Sequence, residues 1–155
     1  MTATLLAPPE TDAAMAVLNI SGLQLALHRS EIRALESAPD IDTNETKPFS
    51  VGWVQFKEER WPAYCLSQDL SLLVVVPRER RSCVVLDTGA GYIGILCDSV
   101  NLGIQFRPEQ YQELPPPMRL PHTPILGLIA LEGDDVACAS SAEQLVEHVT
   151  RQVNL

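Results

Sequence analysis

Cys83-Val84-Val85-Leu86-Asp87-Thr88-Gly89-Ala90-Gly91-Tyr92-Ile93-Gly94-Ile95-Leu96-Cys97 decides between two unrelated folds. Its centre, Gly89 to Gly94, has the letters of the G-x-G-x-x-G dinucleotide fingerprint and comes after a strand-like run. A pyrophosphate site needs a helix to begin within those glycines, presenting free N–H groups and the positive end of its dipole. The next residues, Ile93 to Val100, are instead β-branched and apolar and predict a strand. Asp87 to Gly91 is then a hairpin loop that uses the backbone freedom of glycine.

Outward from this hairpin, short strand-like runs recur. Val17 to Ile20 and Leu23 to Leu27 flank a Ser21-Gly22 turn, a second hairpin signal. Val51 to Phe56, Trp61 to Leu66, Leu72 to Val76, Cys83 to Asp87, Tyr92 to Cys97, Ile125 to Leu131 and Val136 to Ala139 are further strand candidates. Many short strands divided by turn residues predict a barrel or sandwich rather than alternating β-α units. Ala38 to Pro48 is rich in turn formers, and Leu114 to Pro124 holds five prolines, so both predict loops. The C-terminus alone has helical spacing: Leu145, Val149 and Val153, with Val146 beside them, come after Ser140 and Ser141, either of which can cap. Residues 1–15, with Pro8-Pro9 and no periodicity, predict a disordered arm before one domain over 16–155.

The 155 residues, 46% of them hydrophobic, suffice for one core but not for two ordinary domains. A net charge of -9 argues against nucleic acid and anionic membrane, which are gripped by clustered Lys and Arg. No run approaches a membrane span or a signal peptide, so a cytoplasmic protein is expected. Cys65, Cys83, Cys97 and Cys138 are far apart; the last three lie in apolar runs and are expected as buried, reduced thiols without metal. His28, His122 and His148 supply no partner at ligand spacing, and no cofactor is expected.

Nucleophilic catalysis calls for a Ser or Cys near a His, yet no G-x-S-x-G elbow occurs and each His lies in a different kind of segment. No enzyme is expected. The acidic pairs Asp40 and Asp42, Glu58 and Glu59, and Asp134 and Asp135 fall in turn-like stretches and predict solvated charge. Arg78-Glu79-Arg80-Arg81 stands out in an acidic chain: Arg78, Arg80 and Arg81 can grip a carboxylate-rich protein surface, and the plainer alternative is a solvated loop. Trp53, Trp61 and Tyr64 are expected in the core rather than on a binding platform.

Val51 to Leu66 is similar to the CheW-like signature G-V-x-N-L-R-G-x-x-x-P-V-x-D-L, with Gly52, Pro62 and Leu66 in register and Lys57 standing at the Arg. Leu25-Ala26-Leu27 with Ile32 and Leu35 resembles the family's Y-A-L-x-I-x-x-V-x-E-I strand, and Tyr92 to Val100 its x-x-G-L-x-V-D-x-V strand. Ile125-Leu126-Gly127-Leu128, an acidic turn and a closing helix come next in the expected order. The resemblance implies a mainly β fold of two interwound, SH3-like, five-stranded barrels with a C-terminal helix. It implies a non-catalytic adaptor coupling the regulatory domain of a CheA-like histidine kinase to chemoreceptor cytoplasmic tips, or a pilus-linked equivalent, peripheral to the membrane only through receptors. Lys57 and the groove residues Ile32, Leu35, Val54 and Val100 are the partner-binding candidates. The competing expectation is a small-molecule or peptide-binding β-barrel module outside chemotaxis.

Overall fold

The computed structural model describes residues 13–118 and 123–154. Its strands are β1 (Ala13–Ile20), β2 (Leu23–His28), β3 (Ile32–Ser37), β4 (Gly52–Phe56), β5 (Glu59–Leu66), β6 (Leu72–Leu73), β7 (Ser82–Asp87), β8 (Tyr92–Cys97), β9 (Ser99–Phe106), β10 (Tyr111–Glu113), β11 (Gly127–Ala130) and β12 (Val136–Ala139), and the chain closes with α1 (Ala142–Val153). One sheet has the order β10-β11-β12-β2-β1-β9 and the other β3-β7-β8-β5-β4, with β6 added to β5. The chain builds a hairpin of the first sheet, makes the whole second sheet, then returns to complete the first. The expected architecture therefore holds: mainly β, two interwound barrel-like sheets and a C-terminal helix. Each sheet carries six strands rather than five, because the very short β10 and β6 are added.

The turns explain the local folding. Ser21 and Gly22 both take positive φ, 52° and 94°, which is the twist a two-residue hairpin needs, and Asn19 Oδ1 accepts from Gly22 N at 3.0 Å. Gly89 to Gly94 is a hairpin, with Asp87 opposite Tyr92, Gly89 at φ 88° and Thr88 N donating to Gly91 O at 2.8 Å. No helix begins there. Ser141, not Ser140, caps α1 by accepting from Gln144 N, while the Ser140 hydroxyl donates to Pro124 O.

Strand alternation sorts the apolar residues into three layers. Ala16, Leu18, Ile20, Leu25, Leu27, Tyr64, Leu66, Val84, Leu86, Ile93, Ile95 and Cys97 meet in a central layer between the sheets, which Leu145 and Val149 of α1 close. Their strand neighbours turn the other way. Val54, Ala63, Cys65, Cys83, Val85 and Leu96 fill the second sheet, and Met15, Val17, Ala26, Phe106, Ile129, Ala137 and Ala139 fill the first. Strands buried on both faces read as unbroken apolar runs, which is why Cys83-Val84-Val85-Leu86 shows no alternation. Gly94 is required at its position: a Cβ there would lie 2.6 Å from Cys83 Sγ.

Several expectations need correction. The strand expected over Leu72–Val76 pairs only at Leu72 and Leu73, and the one expected over Ile125–Leu131 forms only at Gly127–Ala130. β3, β9 and β10 are not among the expected strands; in β9 Val100, Leu102, Ile104 and Phe106 alternate with Ser99, Asn101, Gly103 and Gln105, as in a strand covered on one face, and β10 spans only three residues. β1 starts at Ala13, so the last residues of the arm expected over 1–15 belong to the sheet; Met15 is buried against Phe106 and its neighbours. Residues 1–12 lie outside the described residues, as do 119–122 of the proline loop. Cys65 is fully buried, whereas Cys138 is only partly so.

Arg80 is the largest departure. Neither a surface grip nor a solvated charge, its side chain is 0% exposed and ion-paired with Asp98. The guanidinium also donates to Ser21 Oγ at 3.0 Å and to Leu66 O at 2.7 Å. Ser21 N in turn donates to Asp98 Oδ2, and Asp98 N to Asn19 O. One buried cation thus ties the β1–β2 turn of the first sheet to β5 of the second. Its removal from water is compensated only by that set of acceptors.

The asymmetry of the pair gives a test, since Asp98 keeps 22% exposure and Arg80 none. Asp98→Ala leaves a buried cation without its counter-ion and is expected to cost about 3 kcal/mol in urea denaturation, while Arg80→Met leaves a carboxylate that can rehydrate and costs less. Equal losses would show that the buried arginine is not the demanding partner. A second test uses the thiols: burial pushes Cys83 and Cys97 up to about 12. Above the ordinary thiol value the unfolded chain gives up protons that the folded chain retains, so stability falls as pH rises toward that value of about 12. Denaturation midpoints of the wild type should drop more steeply there than those of Cys83→Ala/Cys97→Ala.

Candidate functional site: a groove between the two sheets

β3 is an edge strand of the second sheet and β9 an edge strand of the first, so both offer side chains that no neighbouring strand covers. Residues along β3 alternate: Ile32 and Ala34 are half-buried, Arg33 and Leu35 more exposed. A bulge between Ile32 and Ala34 breaks the pairing with β7 and re-aims this end of the strand. Ile32, Ala34 and Leu35, with Arg29, Arg33 and Leu102 of β9, line a groove of about 200 Å³. Leu35 is 42% exposed, high for a leucine on a sheet.

The entrance to β3 is fixed by Glu31. Its carboxylate accepts from His28 N at 3.2 Å and from Ala142 N, in the first turn of α1, at 2.8 Å. A carboxylate at a helix N-terminus satisfies an otherwise unpaired donor and faces the positive dipole end. The helix and the groove wall are therefore held by one side chain. Arg33 donates to Ser30 O at 3.0 Å and lies 4.0 Å from Asp87, while Arg29 has no ion pair among the described residues. The groove accordingly has an apolar floor and a basic rim on an acidic protein.

Of the residues singled out from sequence, only Ile32 and Leu35 come together in this groove. Val100 lies on β9 opposite Leu18 and packs on the central layer. Val54 is 2% exposed inside the second sheet and offers no surface. Lys57 forms the two-residue β4–β5 turn with Glu58, both at positive φ, and its ammonium rests over Phe56 and Tyr92 at 5.8 and 5.6 Å. Those rings and Trp61 make an edge-to-face cluster, with centroids 4.7 and 5.2 Å apart. Arg78 and Arg81 are exposed, Arg80 is internal. Sequence reasoning does not find Arg29, Arg33 and Leu102; for Leu102 the available signal is the period-2 alternation of Val100, Leu102, Ile104 and Phe106 with Asn101, Gly103 and Gln105.

A larger cleft of about 390 Å³ runs beside α1, walled by Trp61, Tyr64, Tyr92, Val146, Val149 and Val153, with Lys47 at its rim. It is mostly apolar. Among the described residues, no Ser or Cys hydrogen-bonds to a His, and no group of three His, Cys, Asp or Glu is placed to hold a metal. No helix of the described residues is long and apolar enough to cross a membrane.

Comparison with known proteins agrees with this architecture. None of the curated proteins matches the chain. Among solved structures, the chain is similar to the scaffolding protein TtCheW from Thermoanaerobacter tengcongensis, with a TM-score of 0.63 at 14% identity, over 83% of this chain and 88% of that one. At that identity the likeness is one of fold. The CheW-like domain model matches residues 14–150, nearly the whole described chain, and the protein belongs to the CheW-like domain family.

Proposed function

We propose that this protein is a non-catalytic adaptor of a bacterial chemosensory complex, coupling a CheA-like histidine kinase to chemoreceptors or to a pilus-linked equivalent in the cytoplasm. The family match over residues 14–150 carries the reading. The similar solved structure is that of a scaffolding protein, which supports the same role. The chemistry of the groove suits it: an apolar floor holds a partner, and charges on the rim set orientation and encounter rate. Two sheets with uncovered edges offer surfaces for proteins rather than a closed pocket for a reaction. The cleft beside α1 favours the second reading, a peptide or small-molecule module, since aromatic walls and one cation suit an amphipathic ligand.

The test is direct binding to the purified regulatory domain of a CheA-like kinase and to a receptor-tip peptide, by calorimetry. Leu35 is exposed, so Leu35→Glu keeps the fold by circular dichroism and is expected to weaken binding at least roughly tenfold at every salt concentration. Lys57→Glu is expected to act only at low salt, through association rate. Val54→Asp is not an interface test, because a charge there unfolds the domain. Unchanged binding by folded Leu35→Glu would remove the groove from the interface. Failure of the wild type to bind either partner would leave the ligand module as the better reading.

A further inference from the structure

The cleft beside α1, at about 390 Å³, has the size of a small-molecule site. Its walls come from parts of the chain far apart in sequence: Trp61, Tyr64 and Tyr92 from the second sheet, and Val146, Val149 and Val153 from one side of α1. Both walls are fixed in place. Trp61 Nε1 donates to Phe56 O at 3.0 Å, and the ring lies so close to Gly91 that a Cβ there would sit 2.5 Å from Cζ3. On the helix side, Gln152 Nε2 donates to Leu70 O at 2.9 Å and Gln152 Oε1 accepts from Leu72 N at 3.0 Å. A preformed apolar cavity of this kind takes a ligand at a low ordering cost.

Two polar features say what kind of ligand. Tyr64 is only 7% exposed, yet its hydroxyl has no hydrogen-bond partner among the described residues, where a buried tyrosine ordinarily finds one. The side-chain polar atom that is sealed from solvent without a partner among the described residues is Arg80 Nε, so the Tyr64 hydroxyl keeps an opening, and the cleft that Tyr64 lines provides it. The second feature is charge. The chain has two lysines, Lys47 and Lys57, and both are at this cleft. Lys47 lines it, and the Lys57 ammonium lies 5.6 Å from the ring centroid of Tyr92, one of its walls. Neither has an ion pair among the described residues. No Asp or Glu among the described residues lines the cleft, in a chain that has 20 of them. A positive field over an apolar cavity selects an anion.

We propose that this cleft is a binding site for a small organic carboxylate with an aromatic or branched apolar body. The body packs between Trp61 and Tyr92 on one side and the valines of α1 on the other. The carboxylate pairs with Lys47 and accepts from the Tyr64 hydroxyl, while Lys57 adds to the positive field from its place over Tyr92. No residue of this cleft lines the β3–β9 groove, so an adaptor can carry both surfaces, and the inference rests on the cleft alone.

Naphthaleneacetate is the probe, titrated by calorimetry against the full chain. Wild type is expected to bind it, and to bind the neutral naphthaleneacetamide and the cationic naphthylethylamine at least roughly tenfold more weakly. Lys47→Glu should weaken the carboxylate by at least roughly tenfold and leave the amide unchanged. Tyr64→Phe removes a hydroxyl that holds nothing within the fold, so it should keep the urea midpoint while lowering carboxylate affinity roughly fivefold. Thr150→Trp, an exposed position on the cleft wall, should fill the cleft and abolish binding with unchanged circular dichroism. Leu35→Glu should bind the probe as wild type does, which separates this site from the partner groove. No binding by wild type would overturn the proposal, and so would equal affinity for the amine. Full affinity in folded Lys47→Glu, Tyr64→Phe or Thr150→Trp would place the ligand elsewhere and overturn it too.

Discussion

A strand packed between two cores must bury both of its faces, and that constraint governs this molecule. Side chains from β1, β2, β5, β7 and β8 interlock in the central layer, while their strand neighbours fill one sheet or the other. Neither sheet can close its own core without the other supplying the opposite wall. The interwound path is the result, because β1 and β2 are made first yet need β9 and β12 as neighbours in the sheet. α1 then covers the remaining open side through Leu145 and Val149, each worth about 2 kcal/mol of burial.

An apolar layer shared by two sheets sets no unique register between them, and the buried polar joint supplies one. Arg80 reaches Asp98, Ser21 and Leu66 from a single position, so the sheets can slide only by leaving a guanidinium unpaired. Its Nε has no partner among the described residues, which marks how few acceptors the joint provides. Glu31 plays the matching part on the other side, joining the approach to β3 to the first turn of α1. Directional polar contacts of this kind specify an arrangement that non-directional burial leaves degenerate.

Edges are where such a fold meets other molecules. β3 and β9 leave a groove between them, and the valines after β6 are exposed where the chain bends away from β5. Both carry arginines in a protein whose total charge is -9. Local positive fields on an acidic surface discriminate among partners more than they add affinity, because the same net charge repels most acidic proteins at a distance.

The class of fold, the two hairpins, the C-terminal helix and its cap region are legible in the residues alone, because these depend on positions within a few residues of one another. Gly89 to Gly94 was legible as a turn from the apolar, β-branched run after it, and Leu145 and Val149 as one face of a helix from their spacing. The CheW-like signature added Ile32 and Leu35 as groove residues. The fate of the arginines depends on the folded chain: Arg78, Arg80 and Arg81 are alike in sequence, and Asp98 together with Ser21 selects Arg80 for burial. The folded chain likewise decides that Val54 faces inward, that Lys57 stacks on Phe56 and Tyr92, and that the strand at Leu72 stops after two residues. These outcomes depend on contacts between residues far apart in the chain, and local pattern carries no record of such neighbours.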